Sequence, residues 1–143
     1  MSKEIKTRAD YQQLTAVRLL EAKALLDVQL WSGAYYLMGY AVELALKSCI
    51  IKYLMSVDEF PAKRFTERCY THDINALVEL AGLRVNCESK KDLDGDFKSY
   101  WQIVERWSEQ KRYYQIDQTD AEQLHEAIIN PTHGVLSWIT SNW

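Results

Sequence analysis

The chain has 143 residues, which is enough for one ordinary domain and too few for two. Hydrophobic residues make up 48% of it, so the chain can bury a core and is not of the disordered class. Two prolines and five glycines are too few for the many turns of an all-β fold. We therefore predict a single all-α domain over residues 1–143.

The formal net charge of −3 argues against a protein that binds nucleic-acid backbone non-specifically, because that requires a large positive excess. It does not exclude a local basic cleft. The three cysteines, Cys49, Cys69 and Cys87, are an odd number without a CxxC spacing. This usage indicates free thiols in a reducing compartment and disfavours a disulfide framework or a zinc site.

The first six residues contain no apolar core of a signal peptide, so we expect none. The most membrane-like stretch is 34–57, but it carries Glu43, Lys47 and Lys52. Charges near the middle of a membrane span are costly, and we interpret the stretch as a buried helix. The expected location is the cytoplasm, without a membrane partner.

Two long helices are predicted first. Apolar residues recur at steps of three and four over residues 7–29, which indicates one helix. Ser32 is expected to cap a second helix that has Gly33 in its first turn and ends near Met55. A connection this short predicts an antiparallel hairpin. The two inner faces should comprise Tyr11, Leu14, Val17, Leu20/Ala24 and Leu25/Val28, and Leu37, Met38, Ala41, Val42, Ala45 and Cys49.

The middle of the chain is predicted to be shorter and more broken. Phe60-Pro61 marks a connector, followed by a short helix over 62–69. Thr71 resembles the N-cap of a third principal helix, which has Asp73 in its first turn and ends at Gly82 as the C′ glycine. The polar residues 84–95 are interpreted as a loop.

Two further helices complete the prediction. A fourth should present Phe97, Tyr100/Trp101, Val104 and Trp107 on one face and end around 111–113. A fifth should begin at a capping box over 119–122, and Pro131 should kink or break its pattern near Asn130. The expected architecture is thus an antiparallel up-and-down bundle of about five helices around one core.

Glu43 and Lys47 lie one helical turn apart, in the favoured order for an ion pair. On a surface such a pair contributes only about 0.3–0.5 kcal/mol. Within an otherwise apolar helix, however, the charges should be partly buried and paired, as at functional or specificity-determining sites. Both interpretations stay open at this point.

His72 begins the third principal helix, where it could fix the loop by a local hydrogen bond or face an anion such as phosphate. Proton transfer is a usual role of histidine as a residue type. Arg106, Lys111 and Arg112 interleave with aromatic residues in a way that suits gripping phosphate and stacking on bases, or equally a core or dimer interface. The aromatic residues are Trp107, Tyr113 and Tyr114.

No metal site is predicted. His125 and His133 are eight residues apart with Pro131 between them, which is a poor spacing for one metal ion. A nucleophile elbow, a P-loop and a GxGxxG motif are all absent from the sequence. The sequence therefore indicates no cofactor.

Three segments of the sequence together resemble proteins with a HEPN domain. The first, residues 32–47, is similar to the second helix of that family and contains the Glu43-x3-Lys47 spacing. The second comprises residues 71–77, which include His72-Asp73, together with residues 81–83. The third is Trp107 followed by Arg112-Tyr113. With the helix order, the resemblance covers nearly the whole chain.

The resemblance implies a homodimeric α-bundle of prokaryotic origin, often encoded beside a minimal nucleotidyltransferase in toxin–antitoxin or defence operons. Many members of the family are metal-independent ribonucleases whose arginine and histidine are four to six residues apart. This sequence departs from that pattern, because Arg112 is followed by Asp117, Gln118 and Thr119 where the histidine would stand. Arg68 and His72 are too close together and lie elsewhere in the fold.

We accordingly expect a HEPN-like homodimer that binds nucleotide or RNA or serves as a regulatory module. Glu43, Lys47, Asp73 and Tyr113 are its candidate ligand-binding residues. One alternative is an atypical metal-independent ribonuclease toxin with His72 and Arg112 as the catalytic residues. Another is a structural dimer that docks a nucleotidyltransferase.

Overall fold

The computed structural model describes residues 1–143, and its regular structure is entirely helical. The all-α antiparallel bundle is confirmed, but it has eight α-helices instead of about five. The predicted loop over 84–95 is mostly a helix, the predicted fifth helix is divided in two, and the predicted short helix over 62–69 adds the eighth. The elements are α1 (Arg8–Asp27), α2 (Trp31–Val57), α3 (Lys63–Arg68), α4 (Ile74–Leu80), α5 (Arg84–Leu93), α6 (Gly95–Val104), a 3-10 helix (Glu109–Tyr113), α7 (Gln118–Ile129) and α8 (Val135–Thr140).

Helix α1 begins with a capping box, in which the Thr7 hydroxyl accepts from the Asp10 amide and the Asp10 carboxylate accepts from the Thr7 amide. The face predicted to be buried is partly wrong. Thr15 and Ala22 are the buried residues, whereas Leu20 is 72% exposed. Helix α1 carries leucines and alanines on several sides, so its spacing fits more than one stripe, and packing against α2 selects among them.

Helix α2 is the centre of the bundle and packs against α1, α4, α7, α8 and the 3-10 helix. It alone is long and apolar enough to cross a membrane by length and composition, yet 72% of its most apolar window is buried inside the bundle. The prediction of a buried helix is confirmed. The predicted cap is wrong, because α2 begins at Trp31 and the Ser32 hydroxyl instead accepts from the Ile116 amide at 2.9 Å.

The start of α4 is capped by Asp73 instead of Thr71. The Asp73 carboxylate accepts from the Ala76 amide at 2.9 Å, while the Thr71 hydroxyl accepts from the Asp73 amide. Gly82 is the C′ residue as predicted, with φ of +71°. Its amide donates to the Glu79 carbonyl and the Leu83 amide donates to the Val78 carbonyl, which is the Schellman pattern.

The prediction of a loop over 84–95 is wrong, because most of this stretch forms α5. Cys87 is its one buried residue. The ammonium groups of Lys90 and Lys91 lie over the rings of Phe97 and Trp101, at 5.6 and 5.4 Å from the centroids. An ammonium group over the face of an aromatic ring is attracted by the ring, so a polar sequence is still held against the core.

The predicted fourth helix is shorter than expected. Asp94 caps α6 by accepting from the Phe97 amide, and α6 ends at Val104. The residues up to Tyr113 turn into the separate 3-10 helix. This break matters for function, because it carries Trp107 and the residues after it across α2.

The N-cap of α7 is Asp117, two residues before the start of the predicted capping box, and its carboxylate accepts from the Asp120 amide at 2.8 Å. The predicted break at Pro131 is confirmed, since α7 ends at Ile129 and α8 begins at Val135. Gly134 is required there because a Cβ would overlap the Asn130 carbonyl oxygen.

The core comprises 25 buried residues, and every α-helix except α3 contributes to it. Helix α3 adds only the partly buried Phe65 and therefore packs at the edge of the core. Phe97, Trp101 and Trp138 meet in this core with ring centroids 5.6–6.1 Å apart. Because α2 passes through the middle of the core, a charged residue on its inner side must find partners within the protein.

Candidate functional site

That charged residue is Glu43, whose side chain is 1% exposed. Its Oε1 atom lies 2.6 Å from His72 Nδ1, and its Oε2 atom lies 3.9 Å from Lys47 Nζ. The predicted Glu43–Lys47 pair is present, but the imidazole is much the closer partner. A buried carboxylate is therefore held mainly by a histidine that lies 29 residues away in the sequence.

His72 lies between two carboxylates. Its Nε2 atom is 3.2 Å from Glu109 Oε2, on the opposite edge of the ring from the Glu43 contact. The Nδ1 contact with Glu43 has the geometry of a hydrogen bond, whereas the Nε2 contact with Glu109 is a longer approach between the two groups.

Glu109 extends this arrangement to Arg112, whose Nη1 atom is 3.8 Å from the same Oε2 atom. One carboxylate oxygen thereby faces both His72 and Arg112, the two residues that the sequence put forward as a catalytic pair. The end of the 3-10 helix and the start of α4 meet across the bundle, which the sequence spacing did not reveal.

Trp107 holds the 3-10 helix in place. Its indole ring packs directly on Gly39 of α2, where a Cβ atom would overlap the ring. The ring of Tyr36, one turn earlier, is 6.0 Å away by centroids. Gly39 and Glu43 are four residues apart on the same helix, so this contact brings the 3-10 helix beside the part of α2 that carries Glu43, and Glu109 within reach of His72.

An open cleft of about 370 Å³, the His72 cleft, lies between the start of α4 and the segment after α6. Only two of its eleven lining residues are hydrophobic. Asp73 caps α4 and Glu105 accepts a hydrogen bond from Asn75 at 3.2 Å, so both carboxylates are engaged. The cleft is lined by Thr71, His72, Asp73, Ile74, Asn75, Glu105, Arg106, Trp107, Ser108, Glu109 and Gln110.

Beside this cleft, the 3-10 helix presents an exposed aromatic and basic surface. The Arg112 guanidinium lies 4.9 Å from the Tyr113 ring centroid, and the Lys111 ammonium lies 4.4 Å from that of Tyr114. Tyr113 is 73% exposed and Tyr114 is 56% exposed, so neither belongs to the core. Large aromatic rings that a core does not need are available for a ligand or for another chain.

Lys47 points into a different depression, an apolar groove of about 280 Å³ between α1, α2 and α3. Seven of its eleven lining residues are hydrophobic. We call it the Lys47 groove, and it is lined by Lys6, Tyr11, Lys47, Ile50, Ile51, Leu54, Pro61, Phe65, Thr66, Cys69 and Tyr70.

Ionisable groups in the groove feel its low polarity. Burial raises the pKa of the Cys69 thiol, against the opposing charges of Lys47 and Arg68. Burial also raises the pKa of the Tyr11 hydroxyl, and the nearby Tyr70, Glu43 and Glu4 add to the shift. Both groups are therefore neutral at pH 7.

The six residues predicted for a site divide among distinct roles. Glu43, His72 and Arg112 are joined through Glu109, whereas Lys47 lines the Lys47 groove. The last two are Asp73, which caps α4, and Tyr113, which stacks on Arg112.

Sequence reasoning missed Glu109 and Gly39. The four-residue spacing of Gly39, Glu43 and Lys47 was the available signal for Gly39, because it puts the three on one face of α2. Nothing in the local spacing marked Glu109, since its partners His72 and Arg112 meet it only through the turn after α6.

A second histidine also meets carboxylates that lie far away in the sequence. His133 Nδ1 is 2.8 Å from Asp94 Oδ2, and its Nε2 is 3.7 Å from Asp96 Oδ2. These are metal-ligand types, but Lys90 Nζ lies 3.5 Å from the same Asp94 oxygen and the start of α6 is the positive end of a helix. This cluster of His133, Asp94 and Asp96 is therefore better suited to joining α6 to the turn before α8 than to binding a metal cation.

No protein-family model, curated protein or solved structure matches this chain. The function must accordingly be inferred from the residues and their geometry.

Proposed function

We propose that the protein is a HEPN-like homodimeric module that binds single-stranded RNA or a nucleotide at the His72 cleft, within a prokaryotic toxin–antitoxin or defence system. The observation that carries the binding proposal is the shared contact of His72 and Arg112 with one oxygen of Glu109. A histidine and an arginine from distant segments thus converge on a single carboxylate oxygen. A phosphate has the charge and the acceptor oxygens to take its place.

In this proposal Glu109 occupies the phosphate position when no ligand is bound. Its side chain is 33% exposed and lies on a short 3-10 helix, so it can turn outward into solvent. Glu43 is 1% exposed and stays in place, holding the imidazole through Nδ1 while Nε2 faces the ligand. Displacement of Glu109 also removes one negative charge from the cleft.

The base that follows the phosphate has a surface on which to stack. Tyr113 and Tyr114 are exposed beside Arg112 and Lys111, and aromatic stacking contributes about 1–3 kcal/mol per base. The chain has a net charge of −3, so binding depends on this local group and not on the overall field. Only a few phosphates should be contacted, which predicts a shallow salt dependence.

The test is fluorescence anisotropy with a labelled single-stranded oligoribonucleotide. Arg112→Ala and Tyr113→Ala should each weaken binding about tenfold, the equivalent of about 1.4 kcal/mol. Glu109→Gln should tighten binding, because the neutral amide competes less well for His72 and Arg112. Arg64→Ala, on exposed α3 outside the cleft, is the matched control and should leave the affinity unchanged.

Opposite changes in Glu109→Gln and Arg112→Ala are what the displacement proposal requires. Equal affinity in all four variants, or none in the wild type, would instead favour the structural dimer that docks a nucleotidyltransferase. The homodimer is checked separately by sedimentation at micromolar concentration, where a monomer would contradict it.

The meeting of His72 and Arg112 also supports a second candidate, an atypical metal-independent ribonuclease. Such a reaction needs a proton-transferring group near the 2′-hydroxyl and a cation near the phosphate. His72 already faces carboxylates through both nitrogens, which suits proton donation better than proton abstraction. Cleavage of RNA in the presence of chelator, lost in both His72→Ala and Arg112→Ala, would favour this alternative.

A further inference from the structure

We infer that the Lys47 groove is a binding site for a small amphipathic carboxylate, whose apolar tail lies along α2 and α3 and whose carboxylate pairs with Lys47. This site is separate from the His72 cleft and does not depend on the RNA-binding proposal.

The walls of the groove suit an aliphatic tail. Ile50, Ile51 and Leu54 supply one side from α2, and Phe65 supplies the other from α3. The ring of Tyr53 packs 6.2 Å from that of Phe65 and holds α3 beside α2. Removing an aliphatic chain from water contributes about 0.8 kcal/mol for each buried methylene group.

Lys47 supplies the specificity, because its charge is only partly matched by the protein. Its side chain is 20% exposed, and its sole carboxylate contact is the long 3.9 Å approach to Glu43. The nearer partner of Glu43 is His72, at 2.6 Å. The ammonium has three donors and no protein acceptor within hydrogen-bond distance, so a ligand carboxylate can pair with it.

The other polar groups of the groove are compatible with an anion. Lys6 adds a second ammonium group at the rim, which pairs with Glu4 at 3.1 Å, and no acidic side chain lines the groove. Tyr11 provides a hydroxyl in the same lining, and burial keeps its pKa raised and the group neutral. An amphiphilic cation would meet two ammonium groups in the lining and no carboxylate there.

The volume limits the ligand to a small one. About 280 Å³ is just below the range of about 300–1,000 Å³ that is usual for small-molecule sites, which suits a chain of about eight carbons and excludes large lipids. Octanoate is therefore the appropriate probe. Octan-1-ol and octyltrimethylammonium have the same tail with a neutral and a positive head group.

The experiment is a titration of the full chain with each of the three probes, in which binding is monitored through the amide chemical shifts in NMR spectra. Octanoate should produce saturable shifts over residues 47–54 and 65–70, with an affinity at least about tenfold higher than that of octanol. The cationic probe should not bind. Equal binding of all three probes, or no saturable shift with octanoate, would overturn the inference.

Variants separate the contribution of the charge from that of the walls. Lys47→Met should bring octanoate down to the affinity of octanol, whereas Lys63→Met, an exposed lysine outside the groove, should change nothing. Leu54→Trp should fill the groove and abolish binding of octanoate and octanol alike. Unchanged octanoate affinity in Lys47→Met would refute the role of Lys47.

The native thiol of Cys69 allows a second measurement of binding that needs no variant. Cys69 lines the groove, whereas Cys49 and Cys87 are buried in the core. Bound octanoate should slow alkylation of Cys69 by iodoacetamide. Shifts in the spectrum without protection of Cys69 would place the ligand elsewhere and contradict the assignment.

Discussion

The His72 cleft and the Lys47 groove depend on the same buried carboxylate, Glu43, but on its two different oxygens. On one side Oε1 meets His72 at 2.6 Å and the lining beyond it is polar, while on the other Oε2 faces Lys47 at 3.9 Å and the lining is apolar. One buried charge can thus orient a close partner and leave a second one available. Its two sides should therefore respond differently to mutation.

The largest loss in the free energy of unfolding is expected when the His72 side chain is removed. His72→Ala leaves Glu43 buried with only a distant partner, and breaking such a pair costs about 3 kcal/mol. His125→Ala, a half-buried histidine on α7 without an ion pair, is the matched control and should cost under about 1 kcal/mol. The measurement is the free energy of unfolding in urea.

A double-mutant cycle then attributes the loss to the pair. If the unpaired charge causes the destabilisation, Glu43→Gln should offset a large part of the His72→Ala effect. Additive losses in the double variant would mean that the imidazole stabilises the fold by packing and not by pairing with Glu43.

A smaller loss of stability is expected when the contact between Gly39 and Trp107 is crowded, because this contact shapes only the His72 cleft and not the Lys47 groove. In Gly39→Ala the new methyl group overlaps the Trp107 ring, which must move together with the 3-10 helix. Such overpacking costs about 2 kcal/mol. Gly95→Ala is the control, because its Cβ would meet nothing within 4 Å. Thermal denaturation measures both variants. Equal melting temperatures for Gly39→Ala and Gly95→Ala would show that Trp107 moves aside without a loss of stability.

Lys47→Met should cost less again, about 1 kcal/mol, which is the upper end of values for exposed pairs. The reason is the 3.9 Å separation and the remaining contact of Glu43 with His72. The methionine also keeps apolar contacts with the groove. The same urea titration measures the free energy of unfolding of Lys47→Met. A loss as large as that in His72→Ala would show that the two partners of Glu43 do not differ in their contribution to stability.

The smallest effect concerns reactivity and leaves stability unchanged. Burial raises the pKa of all three thiols, to about 11 for Cys49 and Cys87, so few thiolates exist at pH 7. Alkylation of Cys69, the half-buried one, should rise about tenfold per pH unit as the thiolate fraction grows. Mass spectrometry over pH 7–9 measures the rate. Modification of Cys49 or Cys87 before Cys69 would contradict the burial order.

The sequence by itself determined the helical class, the hairpin of α1 and α2, and the breaks at Gly82 and Pro131. These depend on local properties, namely three- and four-residue spacing, the freedom of glycine at positive φ and the missing amide of proline. It also singled out Glu43, because a charge inside an apolar helix must be paired wherever the helix is buried. None of these inferences requires knowledge of which segments meet.

Only the tertiary structure decided what Glu43 pairs with and how the candidate residues divide. The approach of His72, Glu109 and Arg112 depends on the turn after α6 and on Trp107 seated against Gly39, which are long-range packing contacts. Likewise, α5 packs against the core with the ammonium groups of Lys90 and Lys91 over aromatic rings, a contact that the polar sequence did not indicate. Spacing along a chain carries information about one helix at a time, whereas a site between helices exists only once they have packed.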